Sequence, residues 1–299
     1  MPEADVGGVA LHYEAWSAGD AGHREVVHLI HGLGAPRLRW PQALVDALVD
    51  RGFDVLAHDN RDSGRSTVLH DRPMGGGAVR RLLEGGEVDL PYTLRDLADD
   101  AVALQAHLGI DRAHVVGASM GGMIAQHVAM AHPRRTASLV SIMSTTGARD
   151  VGRATEEGTR VLLTPLPTED LDEYLSVALA SRRVTASPDY FDEDEMREHL
   201  LELWEHGVHP AGTVRQFLAI LADGDRTERL RAVAVPTLVI HGALDPLITL
   251  SGGEATAAAV PGAELLVIDD MAHDIPLPHV PRVADAIAEH ARAATAART

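Results

Sequence analysis

Three side chains, far apart in the chain, have the types needed to cleave a carbonyl compound. Ser119 stands in Gly117-Ala118-Ser119-Met120-Gly121, Asp245 in Gly242-Ala243-Leu244-Asp245-Pro246, and His273 in Asp270-Met271-Ala272-His273-Asp274. A serine hydroxyl is a weak nucleophile until a base removes its proton, and an imidazole does this best when a carboxylate fixes its tautomer. Asp269, Asp270 and Asp274 lie too near His273 in the chain for the usual geometry, which leaves Asp245 as the orienting acid. The chemistry predicted is attack by Ser119 on a carbonyl carbon, with His273 as general base and a covalent acyl intermediate.

The elements that must position these groups are readable from hydropathy. Ala113 to Val116 is an apolar run that reads as a buried strand, and Met123, Ile124, His127 and Val128 follow with helical spacing. A serine caught between a strand and a helix is lifted clear of the sheet, and the N–H of Met120 faces the same space. Asp245 and His273 also come just beyond apolar runs, Pro236 to Ile240 and Glu264 to Ile268. All three then emerge at one carboxyl edge of a sheet.

Further strands are predicted at Val9 to Trp16, Val26 to Ile30, Phe53 to His58 and Ser138 to Met143, and helices at Pro41 to Arg51, Leu94 to Leu108, from Ser251 and from Pro281 to Ala294. Residues 68–92 read as a surface loop with helix at most over Val79 to Leu83. Strand–helix alternation of this kind implies an α/β fold with a mostly parallel sheet covered on both faces. It stops near Gly147 and resumes near Arg229. We therefore expect a core of residues 1–145 and 229–299, with residues 146–228 inserted as a helical cap over the strand ends.

Two absences remove whole chemistries. No cysteine is present, and all 26 basic residues are arginine, so thiolate nucleophiles, disulfides, Schiff bases and Walker lysines are excluded. A net charge of −18 argues against nucleic acid or an anionic membrane surface as partner. No apolar run is long enough to span a bilayer and no signal peptide is visible, so a cytoplasmic protein is expected. His206 and His209 could begin a metal site, but no third ligand is apparent; neither metal nor cofactor is expected. Nothing in the sequence addresses the oligomeric state.

The motifs His31-Gly32-Leu33-Gly34, Asp59-x-Arg61-x-x-Gly64-x-Ser66, Gly117-Ala118-Ser119-Met120-Gly121-Gly122, Gly242-x-x-Asp245 and Ala272-His273 resemble the α/β-hydrolase superfamily over nearly the whole chain. Asn60 to Ser66 is similar to a serine esterase branch that includes aclacinomycin methylesterase-like enzymes. The resemblance implies Ser119 as nucleophile, His273 as base, Asp245 as orienter and the backbone N–H groups of Leu33 and Met120 as oxyanion hole. It implies a carboxylic ester as substrate. Alternatives within the superfamily are a lactone, a dienoate carbon–carbon bond, an amide or a peroxyacid, and, outside enzymes, a ligand receptor. One departure is Asp62, where the superfamily commonly has glycine.

Trp40, Trp204 and Phe217 are candidates to line the substrate pocket. Residues 146–228 hold 18 Asp and Glu against 8 arginines, a net of −10. Most of these carboxylates are expected on the solvated outer face of the cap helices, yet a roof of that charge would still slow the entry of anions, so a neutral small-molecule ester is the expected substrate. An anionic substrate would need an arginine aimed into the pocket, for which Arg182, Arg183 and Arg215 are the candidates.

Overall fold

The apolar runs assemble, in the computed structural model, into one eight-stranded sheet of order β1-β2-β4-β3-β5-β6-β7-β8. The structure describes residues 2–19 and 25–297. The strands are β1 (Glu3–Asp5), β2 (Ala10–Trp16), β3 (Val26–Ile30), β4 (Asp54–His58), β5 (Ala113–Ala118), β6 (Thr136–Ile142), β7 (Thr237–Gly242) and β8 (Glu264–Ile268). From β4 to β8 all pairings are parallel, whereas β2 runs antiparallel to both β1 and β4. The opening hairpin turns at Gly7 and Gly8, both at positive φ, as a tight reversal requires.

Parallel strands need crossover helices, and these cover both faces. The helices outside the insertion are α1 (Gln42–Asp50), α2 (Gly76–Leu83), α3 (Leu94–His107), α4 (Met120–Ala131), α10 (Ser251–Ala259) and α11 (Val280–Ala296). Successive strand residues alternate between two cores. Val116 and Val140 join Leu44, Leu48, Ile287 and Ala291 of α1 and α11 on one face. Val115 and Leu139 join Leu97, Ala101, Ile124 and Val128 of α3 and α4 on the other. Because both faces are covered, β5 and β7 are buried along their whole length. The helix expected from Val79 begins three residues earlier, at Gly76.

Between β6 and β7 the chain leaves the sheet as helices only: α5 (Glu156–Leu163), α6 (Leu171–Thr185), α7 (Glu193–His206), α8 (Pro210–Asp223) and α9 (Thr227–Leu230). Asp170 and Asp192 cap α6 and α7 by accepting the N–H groups of Glu173 and Glu195 at 2.8 and 3.0 Å. The insertion has a small core of its own, Tyr174, Leu175, Ala178, Leu179, Leu200 and Leu203. Polar ties dock it to the sheet. Arg215 of α8 places Nε and Nη2 at 2.7 and 2.6 Å from the two oxygens of Asp62, with both side chains buried. The Tyr92 hydroxyl donates to the same carboxylate at 2.6 Å. Asp62 adopts φ 68°, the left-handed region for which glycine is the usual choice, so here the turn keeps its shape and gains a carboxylate. Burial would raise that carboxyl, yet the Arg215 fork, Tyr92 and the Leu69 N–H hold it below the usual range.

A second tie uses His206, whose Nε2 lies 2.7 Å from Asp59 Oδ2. His12 Nδ1 lies 3.3 Å from the same oxygen, and the ligand atoms of the three residues fall within 4.8 Å of one another. His209 does not join them: its Nε2 donates to the Gly64 carbonyl at 2.7 Å. The Asp59 oxygens also accept the Arg37 and Arg65 N–H groups at 2.7 and 3.0 Å, so the carboxylate is tied to the backbone as well as to His206. Among the described residues, no helix is long and apolar enough to cross a membrane.

Candidate active site

The turn from β5 to α4 holds Ser119 at φ 57° and ψ −122°, a strained backbone that pushes the side chain out of the sheet. Two glycines make this possible. A Cβ on Gly117 would stand 2.0 Å from the Gly121 carbonyl oxygen, and one on Gly121 would stand 2.0 Å from that of Ile30. No side chain fits either place. The Ser144 hydroxyl donates to the Ser119 carbonyl at 2.8 Å and braces the turn from β6.

The residues after β3 run directly against the serine. A Cβ on Gly32 would lie 3.3 Å from Ser119 Oγ, which fixes how near the backbone comes. In this turn the Gly34 N–H donates to Gln216 Oε1 at 2.7 Å, and the Gly32 N–H to His31 Nδ1 at 2.7 Å. The Leu33 N–H between them has no protein acceptor among the described residues. Met120 is the first residue of α4, where helical N–H groups lack an intrahelical acceptor. The Asn60 amide pins the His31 carbonyl at 3.0 Å.

Asp245 and His273 follow β7 and β8 at the same edge. His273 Nδ1 donates to Asp245 Oδ2 at 2.7 Å. The other oxygen of this buried carboxylate accepts from the N–H groups of Leu247 and Ile248 at 2.8 and 2.9 Å, so its orientation is fixed from both sides. The neighbouring aspartates are committed elsewhere. Asp274 accepts from Ser187, and Asp270 faces Tyr190 and His279. The His273 N–H donates to the Thr185 carbonyl at the end of α6, at 3.0 Å, which ties the loop to the insertion.

The electrostatics of this region come from Arg182, one of the three arginines considered from the sequence, and from Arg39 and His199, which sequence reasoning passed over. Burial pushes the His31 imidazole well below its ordinary value, with Arg39, Arg182, His273 and His199 adding repulsion. His199 of α7 is held at about 4 by burial and by the same two arginines. Arg182 is brought down to about 10 by burial, against the attraction of Tyr174 and Asp274, and remains charged at neutral pH. Burial and Arg182 push Arg39 down too.

The expectation of a negative roof is therefore corrected. Every acidic residue of 146–228 except Asp223 is exposed, and Asp223 is engaged by Arg226 and His127. The charge excess belongs to the solvated outside of the insertion, whereas the insertion groups whose charge acts on His31 are Arg182 and His199. Of the three arginines considered from the sequence, Arg215 is bound to Asp62 and exposed Arg183 to Glu193. Arg182 forms no ion pair among the described residues, and its charge acts on His31. Trp40, expected in the pocket, is buried in the core shared with α1 and α11, its ring edge-on to His31 at 5.1 Å. Trp204 packs on the insertion core and on Tyr174 at 4.9 Å, and Phe217 is half-buried on α8 beside Gln216.

A sheet of this order, an elbow serine after β5, and a histidine–aspartate pair after β8 and β7 together define an α/β hydrolase. Comparison with known proteins agrees: the alpha/beta hydrolase fold family matches residues 25–280, and the chain belongs to that family. It is 30% identical over 293 residues to a rhodomycin D methylesterase of Streptomyces peucetius, covering 89% of this chain and 91% of the relative. It is 26% identical to a 2-hydroxy-6-oxononadienedioate/2-hydroxy-6-oxononatrienedioate hydrolase of Klebsiella pneumoniae, covering 90% and 87%. Among solved structures, a meta-cleavage product hydrolase of Pseudomonas fluorescens superposes with a TM-score of 0.75 at 20% identity, covering 98% of each chain. The resemblance to the methylesterase branch thus stands.

Proposed function

We propose that this hydrolase cleaves carboxylic esters of small molecules by a serine mechanism. Ser119 is the nucleophile and His273 the general base, with Asp245 holding the imidazole so that Nε2 can receive the proton. The Leu33 and Met120 N–H groups receive the oxyanion, both lying beside the serine without an acceptor among the described residues. Protonated His273 then gives its proton to the departing alcohol. Water, deprotonated by the same imidazole, releases the acid and restores Ser119. The protons move between Ser119, His273, the departing alcohol and water, and no step calls for a metal or cofactor.

The observation that carries the reading is the conjunction of the strained elbow at Ser119 with the 2.7 Å His273–Asp245 hydrogen bond at the same sheet edge. The ester, rather than another acyl compound, is supported by the 30% identity to a methylesterase over nearly the whole chain. The test is labelling with a fluorophosphonate together with pre-steady-state hydrolysis of a p-nitrophenyl ester. Labelling at Ser119 and a burst of one nitrophenol per chain are expected. A protein that binds esters without labelling or turnover is a receptor, and the reading is then wrong.

A further inference from the structure

Two guanidiniums whose charge acts on His31, those of Arg39 and Arg182, form no ion pair among the described residues. Arg39 lies between Leu38, which packs on the insertion core, and Trp40, which is edge-on to His31. That bracket places it beneath the insertion, next to the turn that carries Leu33. Arg182 lies one helical turn before Thr185, whose carbonyl accepts the His273 N–H, so about 4.5 Å of helix rise separates it from the loop of the base. Tyr174 and Ala178 precede it at the same spacing of four and are buried. Arg39 Nε and Nη1 are buried and donate to nothing among the described residues, where neither arginine forms an ion pair.

The other titratable groups facing the pair are Tyr174, Asp274, His199, His31 and His273. Asp274 is the carboxylate among them, and its Oδ1 already accepts the Ser187 N–H and hydroxyl at 2.9 and 2.5 Å. His199 Nδ1 turns outward to Glu202 at 3.5 Å. Two positive charges therefore share one carboxylate, of which Oδ1 is engaged by Ser187. Such an arrangement destabilises a fold unless a ligand completes it, since buried cations are normally paired.

We propose that Arg39 and Arg182 form a subsite for a carboxylate carried by the ester substrate, with the Tyr174 hydroxyl and His199 at its edge. The inference rests on the ester-hydrolase reading and adds the substrate class: half-esters and other esters with a second, ionised acid group. Guanidinium forks bind a planar carboxylate through two parallel N–H···O bonds, which would fix the far end of the acyl chain while Ser119 attacks the near end.

The experiment compares p-nitrophenyl hemisuccinate, hemiglutarate and hemiadipate with p-nitrophenyl butanoate, pentanoate and hexanoate. For the best-fitting length, the half-ester should exceed its neutral partner in kcat/KM by roughly 10- to 100-fold at low salt, mostly through KM. Added salt should shrink the difference. Arg39→Met and Arg182→Met should each cut this ratio at least tenfold, and both variants should melt at or above the wild-type temperature, because an unpaired charge has been removed. Preference for the neutral ester at every length, or a ratio unmoved in both variants, overturns the proposal. Free glutarate supplies a readout independent of turnover. It should raise the melting temperature of the wild type but not of either variant. If none of the six esters is hydrolysed and glutarate still does this, the subsite stands and the ester reading falls. If the esters turn over without glutarate being felt, the subsite falls alone.

Discussion

Asp62→Gly puts at the turn the residue that its backbone ordinarily selects, and the structure says that this chain should suffer for it. Two effects oppose. Glycine relieves a left-handed residue at φ 68°, a gain of about 1 kcal/mol. Against it, the substitution strips the carboxylate from Arg215, whose side chain is 1% exposed and whose remaining contact is the Arg72 carbonyl at 3.1 Å. Removing one partner of a buried pair costs about 3–5 kcal/mol, because the other charge is left uncompensated. The Tyr92 hydroxyl and Leu69 N–H lose their acceptor as well. The net expectation is a loss of about 2–4 kcal/mol. Arg215→Met alone should cost a similar amount, whereas the double variant should recover most of it, giving a coupling energy of about 2 kcal/mol or more. Urea unfolding followed by circular dichroism and by fluorescence provides the cycle, and coincident transitions justify its use. The tie also reaches the chemistry: Gln216, next to Arg215, accepts the Gly34 N–H and donates to the Arg61 carbonyl at 2.8 Å. Asp62→Gly should thus lower kcat through a loosened Leu33 turn. Stability within about 0.5 kcal/mol of wild type, or a coupling energy near zero, would refute this account of why aspartate stands there.

Ser119→Ala should lower kcat by several orders of magnitude, and adding His273→Ala should cost little more, because the groups act as one unit; retention of a tenth of wild-type turnover would exclude Ser119 as nucleophile. Asp245→Asn should cost roughly 10³–10⁴ in kcat with the far-ultraviolet dichroism unchanged. The buried chain Gln105–His28–His58, linked at 3.0 and 2.9 Å, predicts acid sensitivity. Burial lowers His58 to about 4, so between pH 6.5 and pH 4 the unfolded chain takes up a proton that the native chain refuses; stability is full above this window and falls as pH drops through it. From pH 7 to pH 5 His58 alone should cost about 2 kcal/mol, and a urea midpoint unchanged over that range would contradict it.

Much of this was legible because it is local. The elbow could be read from one strand, one helix and the glycines between them, and the insertion from the interruption of strand–helix alternation. The order of Asp245 and His273 after consecutive apolar runs gave their common edge. The insertion's docking was not legible in the same way. Arg215 meets Asp62 across 153 residues and His206 meets Asp59 across 147, and no periodicity connects such positions. Asp62 was visible only as an unusual residue at a turn. Trp40 went to the core because an indole beside α1 buries more surface there than in a pocket.

Net charge misled for a related reason. A sum over residues 146–228 carries no direction, whereas a helix separates its faces, and the glutamates of α7 face water while Leu200, Leu203 and His206 face inward. What matters at the site is which charges lack partners. Within this interior Arg37 meets Glu14, Arg61 meets Asp100, Arg215 meets Asp62 and Arg226 meets Asp223, each at 2.6 or 2.7 Å. With 44 carboxylates in the chain and those four arginines paired, Arg39 and Arg182 form no ion pair among the described residues. Their lack of a counter-ion is better explained if the missing negative charge arrives with the substrate.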